Sequence, residues 1–200
     1  MENLLRIDFT AFNALPASTI TNIRSNTLLT YFEVEDVNRV IQIQGTTGFG
    51  TGKYRNPQAK DVTIIDYDGF LTSLPAAFQH GKKRCDIIVY TSDDSHFILN
   101  ELKNRNPHPS LLTKATAQLL STLTEIGRVP TIATFINNFI VKKCCYSNKQ
   151  SIPPSPIVNA TTAFNRINTL VTNGLKLSYP PIEAFGFELY EYSGNQVIDL

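Results

Sequence analysis

The feature that most constrains this chain is RCDIIVYTSDDSHFILNELKNR, residues 84–105, where two apolar runs flank a polar tetrapeptide. With Asp93 and Asp94 as the central residues of a tight turn between Ser92 and Ser95, the runs form a hairpin whose paired positions sum to 187. Ile88 then faces Leu99, Tyr90 faces Phe97, Asp86 faces Glu101 and Arg84 faces Lys103. Because side chains alternate along a strand, all of these project from one side of the sheet. The other side carries Cys85, Ile87, Val89, Ile98 and Leu102. Both faces are apolar and need cover, so the two strands are central ones.

The segments around the hairpin set the fold class. LPASTITNIRSNTLLTYFEV offers Ser18 or Thr19 as an N-cap, then Ile20, Ile23, Thr27, Leu28 and Tyr31 at helical spacing, which predicts a helix. NRVIQIQ and KDVTIIDYDGF alternate as strands. The glycine-rich GTTGFGTGKYRNPQ lies between them. Position 47, five before Gly52, is threonine, and Lys53 is followed by Tyr54, so a phosphate-cradling loop fails on both spacing and hydroxyl. This connection reads as a hairpin tip or a substrate-contacting loop. A nucleotide-binding role for it would require ATP or GTP to stabilise the protein.

After the hairpin, PHPSLLTKATAQLLSTLTEIGRVP has Ser110 as N-cap, an apolar stripe of Leu111, Leu112, Ala115, Leu119, Leu123 and Ile126, and Gly127 as a left-handed C-cap. Lys114 and Gln118 are four apart and share a face beside that stripe. FIVKKCCYSN reads as a strand, NATTAFNRINTLVTN as a helix ending before Gly174, and AFGFELYEY as a last strand. The segment NKQSIPPSPIVN links elements within one domain. The order predicts an α/β protein, a mixed central sheet flanked by helices. The whole of residues 1–200 forms a single domain, with its core over about 17–147 and a C-terminal helix–strand extension over 157–200.

Composition narrows the function classes. No long apolar run exists, and MENLLRIDFT lacks a secretory profile, so the chain reads as cytoplasmic with no membrane partner. Cys85, Cys144 and Cys145 lack metal-ligand spacing and read as reduced, partly buried thiols. His80, His96 and His108 fall in loops or edges, and no histidine is placed to activate a thiol. The net charge of +1 is uneven: residues 82–149 carry ten Lys or Arg against five Asp or Glu, formally +5, leaving −4 elsewhere. A phosphate-bearing partner is drawn to the middle of the chain.

Two carboxylates opposed across central strands, with Cβ atoms about 4.5–5.5 Å apart, repel each other unless a positive charge sits between them. Mg²⁺, or Mn²⁺ in its place, suits Asp86 and Glu101, since it takes one or two carboxylates and completes its shell with water and phosphate oxygens. Lys103, two residues on and on the same side, can orient an attacking water or meet charge developing on phosphate.

These residues resemble the PD-(D/E)XK nuclease superfamily, the restriction-endonuclease-like fold, over roughly residues 61–147. Asp86, the Glu101-Leu102-Lys103 run, and Lys114 with Gln118 match the positions of its motifs, with Cys85 standing where the name-giving proline would be. The resemblance implies an αβββαβ core, metal held by Asp86, Glu101 and the Leu102 carbonyl, and Lys103 serving the nucleophilic water. It also implies hydrolysis of nucleic acid, DNA in preference to RNA, in restriction, phage defence or repair. Many members carry a glutamate on the first helix; Glu33 and Glu35 are the candidates here, although neither falls on the apolar helical face. Lys82, Lys83, Arg84, Arg105 and Lys114 are the expected phosphate contacts. No recognition helix or zinc finger is evident, so base specificity would come from the N-terminal third, the tail, a homodimer or a partner subunit. The competing readings are a non-catalytic nucleic-acid- or protein-binding module that kept the fold, and a solvated hairpin end.

Overall fold

The computed structural model describes residues 1–20, 22–38, 40–150 and 174–200. It is a mixed α/β fold with a mixed central sheet flanked by helices. The hairpin forms as its alternation and turn dictate. β6 (Ile87–Thr91) pairs antiparallel with β7 (His96–Lys103), Ile88 opposite Leu99 and Tyr90 opposite Phe97, so paired positions sum to 187. Asp94 takes a left-handed φ of 56° in the connecting turn, a conformation aspartate tolerates.

Around this hairpin the central sheet runs in the order β1-β5-β6-β7-β8-β10-β9. β1 (Arg24–Thr27) and β5 (Val62–Asp66) precede the hairpin, and β8 (Val141–Asn148) lies parallel to β7. β10 (Glu188–Ser193) runs parallel to β8 and pairs antiparallel with β9 (Leu175–Leu177) at the edge. The C-terminal strand is therefore an internal strand of the sheet. The helix expected over NATTAFNRINTLVTN lies outside the described residues.

A second sheet, in the order β11-β4-β2-β3, comprises β2 (Tyr31–Val37), β3 (Val40–Gln44), β4 (Gly52–Arg55) and β11 (Ile198–Asp199). It covers one face of the central sheet: Phe32, Val34 and Tyr54 pack with Ile64, Val89 and Ile98, and the Phe32 and Tyr54 rings stack 4.9 Å apart. Helices cover the other face. α4 (Pro109–Gly127) buries Ala115, Leu119, Leu123 and Ile126, and α5 (Pro130–Asn137) adds Ile132 and Ile136. α1, a π-helical Leu4–Phe9 continuing as Thr10–Phe12, buries Leu5 and Phe9 four residues apart in the same core. Three short helices complete the set: α2 (Tyr67–Thr72), α3 (Ala76–Gln79) and α6 (Pro180–Glu183). Among the described residues no helix is long and apolar enough to cross a membrane.

The N-terminal third departs from the expected helix over residues 18–31. That segment contains β1, paired with β5 from Arg24–Ile65 to Thr27–Val62, and the start of β2. It is rich in β-branched residues, which are stiff at χ1 and fit a pleated strand. A few apolar residues at helical spacing could not outweigh a free sheet edge.

Shorter boundaries shift for local reasons. The β5 strand stops at Asp66, whose carboxylate accepts the Gly69 N–H at 2.7 Å and caps α2. The glycine-rich connection is not only a tip, since its second half is β4. His108, not Ser110, caps α4 by accepting the Ser110 N–H at 3.2 Å. Gly127 is the last residue of α4 and the chain continues right-handed through Arg128, because α5 starts at once with Pro130. All three cysteines are free and buried.

Candidate active site

The ladder between β6 and β7 ends at Ile87–Asn100. One residue earlier the chain leaves the sheet: the Asp86 carbonyl accepts the N–H groups of Tyr67 and Asp68 at 3.0 and 3.1 Å. The Asp86 carboxylate folds back to β7, where Oδ2 accepts the Leu102 N–H at 2.6 Å. In a strand the N–H and C=O of one residue point the same way. The Leu102 carbonyl therefore faces the Asp86 side, past the end of the β6 ladder.

This departure corrects three expectations of the ideal hairpin: Asp86 is not paired across the ladder with Glu101, since pairing stops at Ile87–Asn100, and the two residues before it are displaced as well. Cys85 does not join Ile87 and Val89 on the face toward the second sheet. It sits in the core under α4, where its N–H donates to Thr122 Oγ1 at 2.9 Å. Arg84 does not face Lys103: its side chain pairs with Asp68 and donates to Thr72 Oγ1, and its carbonyl accepts from Gln118 Nε2 at 2.8 Å. Strict alternation holds only while the backbone stays in the pleat.

Phe97, Leu99, Glu101 and Lys103 alternate toward α4. Glu101 is completely buried. Its Oε1 meets Lys103 Nζ and its carboxylate is reached by Gln118, while Oε2 has no partner. Burial, followed by the charge of Asp86, pushes the Glu101 carboxyl up to about 8 against the pull of Lys103 and the Gln118 hydrogen bond. Burial likewise raises Asp86 to about 6, against Lys103 and the Leu102 N–H, with Asp68 and Asp36 adding repulsion. Burial opposes charge on Lys103, yet Glu101 and Asp86 overcome it and raise its pKa, so the ammonium form is held. The arrangement is a buried and a half-buried carboxylate that repel each other, the buried one with an oxygen lacking a partner among the described residues, beside one retained ammonium.

The other expected residues are placed unevenly. Gln118 lies beside the site, its Nε2 donating to the Arg84 carbonyl and its amide favouring the charged form of Glu101. Lys114, one turn earlier on α4, is exposed, as are Lys83 and Arg105. Lys82 and Arg84 are already engaged, Lys82 with Glu125 at 2.7 Å and over the Phe78 ring, Arg84 with Asp68. Glu33 and Glu35 stand on β2 rather than on a helix. Glu33 is enclosed by Tyr31, Gly48 and Gly50, and Glu35 accepts from Thr51 Oγ1 and Lys149 Nζ.

Three residues near the site had no role in the sequence reading: Asp68, Asp36 and Lys149. Lys149 joins the two sheets. Its N–H donates to the Lys103 carbonyl at 2.8 Å and its Nζ to the Phe49 carbonyl at 2.6 Å. Only the Asp-Tyr-Asp run after β5 hinted at Asp68; no pattern pointed to the others.

Among the described residues no three His, Cys, Asp or Glu side chains gather as a ready-made metal cage. Asp86, Glu101 and the Leu102 carbonyl offer two carboxylates and one backbone oxygen, a hard donor set of the kind Mg²⁺ accepts. The orphaned Glu101 Oε2 and the raised carboxyls fit a cation, because each unfavourable feature is one that a divalent ion relieves. No family model, curated protein or solved structure matches this chain.

Proposed function

We propose that this protein is a metal-dependent nuclease of the PD-(D/E)XK kind, hydrolysing phosphodiester bonds in nucleic acid, with DNA as the preferred substrate. The observation that carries the proposal is Glu101, a fully buried carboxylate held beside Asp86 with one oxygen left without a partner. An unsatisfied buried polar group costs about 1–3 kcal/mol, a cost that a bound cation would remove at Glu101. The element order supports the reading: α1 precedes the antiparallel β5-β6-β7, and α4 then leads to β8 parallel to β7. These elements follow one another as an αβββαβ core would require, with β1–β4, α2, α3 and α5 as additions to it.

In this mechanism Asp86, Glu101 and the Leu102 carbonyl hold Mg²⁺ or Mn²⁺. When bound, the ion supplies Lewis acidity at the scissile phosphate and a lowered pKa for water. Lys103 stays protonated, so it orients the attacking water and meets charge growing on phosphate rather than acting as general base. Gln118 fixes the Glu101 carboxylate and, through the Arg84 carbonyl, the backbone leading to Asp86. Lys83, Arg105 and Lys114 are the exposed cations left to contact backbone phosphates, whereas Lys82 and Arg84 shape the site from within.

The test is incubation of purified protein with plasmid, single-stranded DNA and RNA, with and without Mg²⁺ or Mn²⁺. Asp86→Asn, Glu101→Gln and Lys103→Ala should each lower cleavage by about 10²–10³-fold, with unchanged circular dichroism. Undiminished cleavage by Glu101→Gln would remove the assignment.

A further inference from the structure

At the β5–α2 corner, where the second sheet diverges from the edge of the central sheet, the surface opens into a cleft of about 440 Å³. Ile23, Val40, Ile41 and Ile64 form its apolar walls, and Asp66 and Asp68 of the β5–α2 corner supply acid. The cleft and the candidate active site share a wall. The Asp68 N–H donates to the Asp86 carbonyl at 3.1 Å, and Asp36 and Asp68 press electrostatically on both Asp66 and Asp86.

The polar lining of this cleft consists of two carboxylates, Asp66 and Asp68, with Asn22, Ser25, Thr72 and Ser73. Asp66 uses Oδ1 to cap α2, and among the described residues no hydrogen bond is made by its Oδ2. Asp68 is paired with Arg84, which also reaches Thr72, so the carboxylate left facing the cleft is that of Asp66, which disfavours a phosphate beside it. What suits apolar walls with carboxylates at one side is a flat ring carrying N–H donors. The volume is in the range of pockets that enclose one small molecule, enough for a single nucleoside and too small for a base pair with its backbone.

We infer that this cleft is a subsite for one unpaired, amino-bearing base of the nucleic-acid strand, adjacent to the bond that Asp86 and Glu101 address. The inference rests on the nuclease reading and deepens it: the substrate presents a base outside a duplex beside the scissile phosphate. The exocyclic amino group of cytosine or adenine donates to the Asp66 carboxylate, a pairing familiar from base recognition. Thymine would turn its O4 acceptor toward that carboxylate and is disfavoured. A base leaving a stack to enter an apolar slot costs least when the strand is already single.

The experiment uses the full chain and 5′-labelled single-stranded DNA dodecamers in which one dC is replaced by dT or by an abasic residue at successive positions. Binding is read by fluorescence anisotropy in Ca²⁺, and cleavage in Mg²⁺. At one position next to the cut, dT should weaken binding and slow cleavage by about 10-fold relative to dC. Asp66→Asn, which keeps the helix cap, should reduce that discrimination to about 2-fold or less, and Ser25→Trp, which fills the cleft from its exposed edge strand, should abolish it. Equal binding and cleavage of dC, dT and abasic strands at every position overturns the subsite while leaving the nuclease standing. Discrimination that survives both variants also overturns it. Base-dependent binding without any cleavage supports the subsite and sinks the nuclease, and absence of binding to every strand overturns both.

Discussion

Glu33 and Glu101 are both without solvent exposure, Glu101 lying deeper, and their surroundings treat them in opposite ways. Burial alone would raise the Glu33 carboxyl. The Tyr31 hydroxyl, the Gly50 and Gly48 N–H groups at 2.6 and 2.9 Å, and Lys53 Nζ at 4.0 Å outweigh it and hold the carboxyl below its ordinary range. Glu101 has one cationic contact, a repelling neighbour in Asp86 and an oxygen with nothing to bind, and its carboxyl is raised. Burial by itself therefore does not single out a functional carboxylate. Glu33 is satisfied and ties the glycine-rich connection to β2; Glu101 keeps one oxygen without a partner among the described residues.

The sharpest way to break this contrast is to delete each charge. Glu33→Ala strands two N–H donors and removes the counter-charge of buried Lys53, which keeps only Asn195 Oδ1 at 2.9 Å, so chemical denaturation should find a loss of about 3–5 kcal/mol. Glu101→Gln replaces a carboxyl that burial already favours neutral, and without metal it should change stability by less than about 1 kcal/mol or raise it. Equal losses in the two variants would show that both glutamates are architectural.

A second expectation concerns pH and metal. The folded-state pKa of Glu101, about 8, lies above its ordinary 4.5, so the folded protein keeps a proton that the unfolded chain releases. This contribution is fully present below about pH 4 and is lost as pH rises through about 8. Asp86 acts in the same direction as pH rises through about 6. Thermal melts without divalent metal should therefore decline across this window, and Glu101→Gln should flatten the decline. A cation binds the deprotonated pair, so Mn²⁺ at about 100 times its Kd should add about 2.7 kcal/mol at pH 8 and much less at pH 5. A metal response that is independent of pH would place the ion elsewhere.

The smallest effect tests the Glu33 region alone. A Cβ at Gly50 would lie 2.7 Å from both the N and O of Val34, with no flexible atom to yield. Gly50→Ala should cost about 1–3 kcal/mol and leave the metal-induced shift in melting temperature unchanged. Loss of that shift would mean that the two glutamates act as one unit.

Much of the candidate site was legible because its logic is local. A two-residue turn and strict alternation place Leu99 opposite Ile88, and they put Glu101 and Lys103 on the face of Phe97 and Leu99. The apolar stripe of α4 likewise announces Gln118 as its neighbour. Arg84 and Cys85 were misplaced because alternation was carried past the point where Asp86 leaves the sheet. Lys82 and Arg84 looked like free cations because Glu125 and Asp68, which engage them, are remote in the sequence.

By itself the sequence determined the hairpin register, α4 and the α/β class, since each depends on neighbours within a turn or a strand. Tertiary structure decided the rest. Residues 24–27 became a strand because β5, some forty positions on, offered a sheet edge; short apolar segments carry too little intrinsic preference to resist such a partner. The contrast between the two glutamates was also invisible in one dimension. Whether a buried carboxylate is satisfied depends on which donors the fold brings to it, and for Glu101 the fold left one oxygen without any.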